Sequence, residues 1–195
     1  MISEKILKRL KKEFHFFHDT EVSIEEKQGD GRGGGVGTIT LQVHSPCLCV
    51  RVPAEPIRWL STKSCGDSII FEFNHNIVHL HLLEMKSRIT LNTWQKAKVQ
   101  IHGAYLNALA MSGVLGIGDF GSVTVHIAYK EDSLHSNFNA TPVVLKVGLG
   151  DHGSVDVGEW ITRRVAIQDV PTPCDLRLII RDGAGDGKAN LRDVI

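Results

Sequence analysis

The hairpin segment CGDSIIFEFNHNIVHLHLLEMK, residues 65–86, constrains the fold more strongly than any other part of the chain. Two apolar runs flank His75-Asn76, and a two-residue loop at this position fixes which residues of the two strands face each other. In that register Asp67 faces Glu84 at the open end of the hairpin. The segment therefore predicts an antiparallel strand pair whose apolar face ends in two opposed carboxylates.

The charged end of this hairpin has two interpretations. Side chains alternate along a strand, so Lys86 projects on the same face as Glu84. Opposed like charges destabilise a strand pair, and partial burial weakens the solvent screening that would reduce the repulsion. The simpler interpretation is a surface ion pair between Glu84 and Lys86, with Asp67 as a strand cap. The alternative is that both carboxylates bind a divalent cation, because Mg²⁺ prefers oxygen ligands.

An amphipathic helix is predicted after the hairpin, over residues 93–112. Asn92 or Thr93 can cap its start, and glycines at 113 and 116 end it. The residues of its apolar stripe recur at helical spacing: Ala97, Ile101, Ala104, Tyr105, Ala108 and Met111. Residues 122–130 alternate apolar and polar side chains, which predicts a half-buried strand.

The remaining segments are predicted from shorter patterns. Apolar residues at helical spacing predict an N-terminal helix over residues 3–17. The glycine-rich stretch 29–37 lacks the residues of a phosphate-binding P-loop and is expected to be a flexible hairpin tip. Residues 182–193 are expected to be a frayed tail. Further strands are predicted over residues 20–26, 38–43, 47–52, 143–149, 160–167 and 175–180.

Composition and charge exclude several classes of protein. Lys+Arg and Asp+Glu both number 22, so a globally basic nucleic-acid binder is not indicated, although a local basic patch is compatible with this balance. No apolar run approaches the roughly 18 residues of a membrane span. The N-terminus lacks the apolar core of a signal peptide, so we expect a cytoplasmic protein without membrane contact. The 4 cysteines are expected to be reduced, buried thiols.

The order of these features resembles the PD-(D/E)XK, or restriction-endonuclease-like, nuclease superfamily. Asp67 precedes a hydrophobic strand, Glu84-Met85-Lys86 ends the next strand, and a helix and a further strand follow. The resemblance implies an α/β fold with a central mixed sheet flanked by helices, built on an αβββαβ core. We expect one domain over residues 1–195, with an N-terminal helix in 1–18, the nuclease-like core in 36–130 and a β-rich elaboration in 131–195.

The resemblance also implies a role for each candidate site residue. Asp67 and Glu84 would hold Mg²⁺ or Mn²⁺, with the Met85 carbonyl as a further ligand. Lys86 would position the attacking water or stabilise developing charge. Gln100 would support the site, as the glutamine of some branches does.

Two positions depart from the family pattern. Gly66 precedes the aspartate where many members have proline. Gln100 and Tyr105 are one residue further apart than the glutamine–tyrosine pair of the RecB-like branch. Glu55 is a weaker candidate for the extra upstream carboxylate of the family.

The expected function is metal-dependent cleavage of phosphodiester bonds in nucleic acid, with DNA favoured over RNA. A role in bacterial antiviral defence or DNA processing follows from the resemblance alone. One alternative is a binding or scaffold protein on the same fold without catalysis, and the balanced charge favours it slightly. Another is an unrelated β-rich interaction protein. A homo-oligomer or a complex with a partner protein is compatible with each of these.

Overall fold

The computed structural model describes residues 4–12, 15–26, 37–51, 64–134 and 152–191. Its helices and strands, in chain order, are α1 (Glu4–Leu7), β1 (His15–His18), β2 (Glu21–Glu25), β3 (Thr38–Gln42), β4 (Cys47–Arg51), β5 (Ser68–Asn74), β6 (Ile77–Ile89), α2 (Leu91–Leu115), β7 (Phe120–Asp132), α3 (His152–Thr162), β8 (Arg164–Val165), β9 (Cys174–Ile180) and β10 (Gly187–Asn190).

The strands form two sheets, which confirms a mixed α/β fold. The larger sheet has seven strands in the order β1-β4-β5-β6-β7-β9-β8, and the smaller has three in the order β10-β3-β2. In the larger sheet β6, β7 and β9 run parallel, whereas β1, β4, β5 and β8 pair in antiparallel fashion. The carboxyl ends of β6, β7 and β9 therefore meet at one edge of the sheet, where ligands bind in many α/β proteins.

The predicted hairpin is confirmed in its register. Asn74 pairs with Ile77, and the pairing continues without a shift to Ser68 and Leu83. His75 closes the turn with φ 54°, a left-handed conformation that two-residue hairpin loops use. The paired residues of these two strands therefore lie on the sheet faces that the sequence indicated, while Asp67 and Glu84 lie beyond the last pair.

Helix α2 is longer than predicted but lies where the apolar stripe placed it. Thr90 caps its start, because its side chain accepts from the Thr93 backbone N–H while the Thr93 side chain accepts from the Thr90 backbone N–H. Gly116 ends the helix in the left-handed conformation that glycine adopts without strain. The predicted stop at this second glycine is confirmed.

The seven-stranded sheet is buried on both of its faces. Helices α2 and α3 cover one face, with Trp94 packed edge-on against Trp160 at ring centroids 5.3 Å apart. The small sheet covers the other face through residues such as Ile39 and Leu41. Strand β7 lies between β6 and β9 inside the sheet, and its residues 124–129 are buried on both sides, so the predicted half-buried strand is wrong in that respect.

The predicted N-terminal helix is too long. Helix α1 ends at Leu7, and His15–His18 form β1, which pairs with β4. The sequence HFFH favours a strand because aromatic side chains fit a pleated surface. Hydrogen bonding to β4 then outweighs the weak helical spacing.

The C-terminal third also differs from expectation. Residues 160–167 were predicted as a strand, but α3 extends to Thr162 and β8 comprises only Arg164–Val165. The described part of the predicted tail, 182–191, forms a turn followed by β10, which pairs in parallel with β3. Residues 152–191 therefore combine one helix with short strands.

Several predictions concern residues outside the described ranges, namely those for 143–149, most of the glycine-rich stretch 29–37, and Glu55. The strands predicted over 20–26, 38–43, 47–52 and 175–180 correspond to β2, β3, β4 and β9. Within the described ranges, no helix is both long enough and apolar enough to cross a membrane.

Candidate active site

Asp67 lies immediately before β5, and both its backbone and its side chain form hydrogen bonds with the backbone of β6. Its backbone N–H donates to the Leu83 carbonyl at 2.9 Å, and its Oδ2 accepts from the Met85 backbone N–H at 2.8 Å. The carboxylate thus occupies the place that a further residue of β5 would take. The N–H and C=O of one strand residue point to the same side, so the Met85 carbonyl faces the side of β6 on which Asp67 lies.

Glu84 and Lys86 form an ion pair on the helix-covered side of β6. Glu84 is only 1% exposed, and its Oε1 accepts from the Lys86 ammonium. Lys86 also donates to Gln100 Oε1 of α2 at 2.7 Å. The side chain of Lys86 retains 20% exposure, so one end of this buried array faces solvent.

Gly66 brings the Asp67 segment close to both β6 and α2. A Cβ atom added at Gly66 would lie 2.9 Å from the Leu83 carbonyl oxygen, 3.4 Å from Ala104 Cβ and 3.7 Å from Glu84 Oε2. The residue before Asp67 therefore sits directly against the Glu84 carboxylate. Glycine at the position where the resemblance expects proline permits this approach.

The structure places each sequence-predicted site residue on β6 or against it. Glu84, Lys86 and Gln100 are in side-chain contact, whereas Asp67 contacts the backbone of Met85. The role of Gln100 in supporting a site stays a prediction. The expected placement of the helix against the hairpin explains the contact of Gln100 with Lys86, since Ala97, Ile101 and Ala104 are all fully buried.

The donor atoms here fit a hard divalent cation. Two carboxylates and a backbone carbonyl are the oxygen ligands that Mg²⁺ or Mn²⁺ accepts, with water completing the coordination. The ammonium of Lys86 is paired with Glu84, and the Asp67 carboxylate accepts from the Met85 backbone N–H. Among the residues that the structure describes, no group of three or more His, Cys, Asp or Glu is arranged to hold a metal ion. The site is therefore poorer in side-chain ligands than a preformed metal cage.

Sequence reasoning missed a buried polar chain on the opposite face of the sheet. His81 is 3% exposed and contacts Glu72 Oε2 at 3.4 Å through Nε2 and His126 Nε2 at 3.1 Å through Nδ1. Burial lowers the pKa of His81, and hydrogen bonding to Glu72 opposes this. Burial also lowers the pKa of His126 well below its ordinary value, with added repulsion from His81 and Arg177. His81 lies on β6 and His126 on β7, so this contact could be predicted only by knowing that the two strands are neighbours.

A second missed cluster connects α2 with α3. The Lys98 ammonium donates to Asp156 Oδ1 and to Glu159 Oε2, the latter at 2.9 Å. Partial burial alone lowers the pKa of Lys98, but hydrogen bonds to the two carboxylates outweigh it and raise the pKa overall. Gln95 also donates to Asp156, at 2.8 Å. These contacts hold α3 against α2.

Comparison with known protein families, curated proteins and solved structures gives no match to this chain. The candidate site therefore rests on its own geometry.

Proposed function

We propose that this protein is a metal-dependent nuclease that cleaves phosphodiester bonds, with Asp67, Glu84 and the Met85 carbonyl holding Mg²⁺ or Mn²⁺. The observation that carries the proposal is the contact of Lys86 with Glu84 and Gln100, together with the hydrogen bond of Asp67 to the backbone of Met85, the residue between Glu84 and Lys86. The resemblance to the PD-(D/E)XK superfamily adds DNA as the favoured substrate and a role in bacterial defence or DNA processing. The cytoplasmic location expected from the sequence is part of the proposal.

The chain's own residues have distinct tasks in this proposal. A bound divalent cation supplies Lewis-acid activation of water and of the scissile phosphate. Asp67 and Glu84 would be the anionic ligands of that cation, and the hydrogen bond from Met85 N–H fixes the orientation of the Asp67 carboxylate. Lys86 donates to the attacking water or to the developing negative charge on the phosphate. Gln100 restrains the Lys86 ammonium so that this donor is already oriented.

A noncatalytic binding protein on the same fold is the second candidate. It is supported by the Lys86 ammonium, which contacts both Glu84 and Gln100, so that these three side chains are paired with one another without a ligand. In that case the array is a structural ion pair, and any nucleic acid would be bound without cleavage.

The test is a cleavage assay on single- and double-stranded DNA and RNA with Mg²⁺, Mn²⁺ or EDTA, run in parallel with calorimetric titration of Mn²⁺. The key variant is Glu84→Gln, which keeps the shape and the acceptor for Lys86 but removes the charge. Glu131→Gln, at an exposed carboxylate paired with Arg88 on the neighbouring strand, is the matched control.

We expect cation-dependent cleavage by wild type and by the control, with a large loss of both cleavage and Mn²⁺ affinity in Glu84→Gln. Cleavage that survives in Glu84→Gln would contradict the mechanism. Binding of nucleic acid without cleavage or Mn²⁺ uptake would favour the scaffold alternative.

A further inference from the structure

The edge strand β1 differs from the other strands that end a sheet in the described part of the chain. Strand β8 comprises two residues, one of them Arg164 in an ion pair with Asp175. Strand β2 exposes Glu21 and Glu25, and β10 exposes Lys188. Charge and short length are the usual features that prevent an edge strand from pairing with another chain.

Strand β1 lacks the protection that charge gives the other three edge strands, although at four residues it is as short as β10. It has four residues, HFFH, without a lysine, arginine, aspartate or glutamate, and it lies at one end of the seven-stranded sheet. Phe16 is 46% exposed and Phe17 is 42% exposed. Phe17 stacks on Phe73 with ring centroids 6.5 Å apart, so its ring is held in place beside the edge. Large apolar side chains exposed along a strand edge are typical of an interaction surface.

The charges on either side of β1 indicate what this edge binds. Exposed Lys11 and Lys12 precede the strand, and exposed Asp19 and Glu21 follow it. If a second copy pairs antiparallel to β1, the basic flank of each chain lies against the acidic flank of the other. A parallel arrangement would instead bring like charges together, which costs free energy.

We infer that β1 pairs with β1 of a second copy of this chain, antiparallel, to join the two seven-stranded sheets into one continuous sheet. A two-fold axis perpendicular to the sheet keeps each face continuous, so directly opposed residues must point to the same face. Because neighbouring residues point to opposite faces, either Phe16 or Phe17 then meets its own copy across the axis. This inference goes beyond the proposed nuclease activity and does not depend on it.

The test measures the oligomeric state by sedimentation velocity and light scattering over the micromolar range. Phe16→Lys places a charge on the edge, and Ile180→Lys, at a 72% exposed residue of β9, adds the same charge elsewhere. We expect wild type and Ile180→Lys to dimerise with the same dissociation constant. We expect Phe16→Lys to raise that constant by about tenfold or more, since in either register it places a lysine from each copy on the shared edge. Unchanged circular dichroism would show that Phe16→Lys is folded.

A charge exchange tests the antiparallel arrangement independently of the phenylalanines. Lys12→Glu and Asp19→Lys should each weaken the dimer alone, and the double variant should restore it. A wild-type protein that stays monomeric throughout the range would overturn the inference, as would a Phe16→Lys variant that dimerises like wild type. A double variant weaker than both single variants would overturn the antiparallel arrangement.

Discussion

The Asp67 carboxylate accepts a hydrogen bond from the Met85 backbone N–H at 2.8 Å, which continues the ladder of β6 beyond the point where β5 begins. This side chain therefore satisfies a backbone donor at the edge of a buried strand. In the proposed function the same carboxylate would also be a ligand of the cation.

This relationship predicts different results for two substitutions at Asp67. Asp67→Asn keeps an oxygen acceptor for the Met85 N–H, so we expect its free energy of unfolding to stay near that of wild type. Asp67→Ala leaves the N–H without that acceptor and should cost about 1–3 kcal/mol. Both variants should lose Mn²⁺ affinity, because each removes an anionic ligand. Urea unfolding and calorimetric titration measure the two effects, and equal stability of the two variants would contradict the role of the hydrogen bond.

Lys86 should affect turnover more than metal binding. Lys86→Met preserves the apolar stem but removes the donor that contacts Glu84 and Gln100. We expect Mn²⁺ to bind at least as well as to wild type, because the competing ammonium is gone. Cleavage should fall about 10²–10³-fold, the usual effect of losing one electrostatic donor.

The matched control for Lys86 is Lys96→Met, which removes an exposed lysine from α2. It should leave both metal binding and cleavage unchanged. If Lys86→Met and Lys96→Met cleave equally fast, Lys86 has no part in the chemistry.

Gly66 should be required for the geometry of the site. An alanine Cβ would lie 2.9 Å from the Leu83 carbonyl oxygen, so the backbone must move. We expect Gly66→Ala to cost about 1–3 kcal/mol, as overpacking does, and to weaken Mn²⁺ binding by shifting Asp67. Gly113→Ala is the control, because nothing lies within 4 Å of its added Cβ and alanine favours the helix. A Gly66→Ala variant with wild-type stability and Mn²⁺ affinity would show that the close approach is not needed.

The hairpin and its charged end could be predicted from sequence because their geometry is local. A two-residue turn at His75-Asn76 fixes the register, and the period of two along each strand fixes the faces. The contact between Lys86 and Gln100 was within reach of prediction because the helix follows the hairpin directly and packs its small residues onto it.

Features that depend on distant segments could not be predicted in this way. Strand β1 exists because it pairs with β4, from His15 with Val50 to His18 with Cys47. Helix α3 is held against α2 by the contacts of Lys98 with Asp156 and Glu159. Both carboxylates are far from Lys98 in the sequence. Local propensity is a weak guide where such tertiary contacts decide the structure.

The buried histidines predict how stability depends on pH. Burial lowers the pKa of His126 well below its ordinary value of 6.5, and His81 and Arg177 lower it further. The unfolded chain therefore binds a proton near pH 6.5 that the folded protein binds only at lower pH. Stability is fully present above pH 6.5 and is lost as the pH falls from there toward the folded pKa. His81, whose pKa burial also lowers, acts in the same direction.

We therefore expect the free energy of unfolding of wild type to decrease as the pH is lowered from 7.5 to 5.5. Urea denaturation at each pH measures it, and the two pH values lie about one unit above and below the ordinary histidine pKa. His126→Gln cannot gain this proton, so its stability should depend less on pH over the same interval, even if its stability at pH 7.5 is lower. His75→Asn, at the exposed hairpin turn with φ 54°, is the control, because asparagine tolerates that conformation. It should retain the wild-type pH dependence. If His126→Gln and wild type lose the same free energy on acidification, the buried His126 does not carry a lowered pKa in the folded protein.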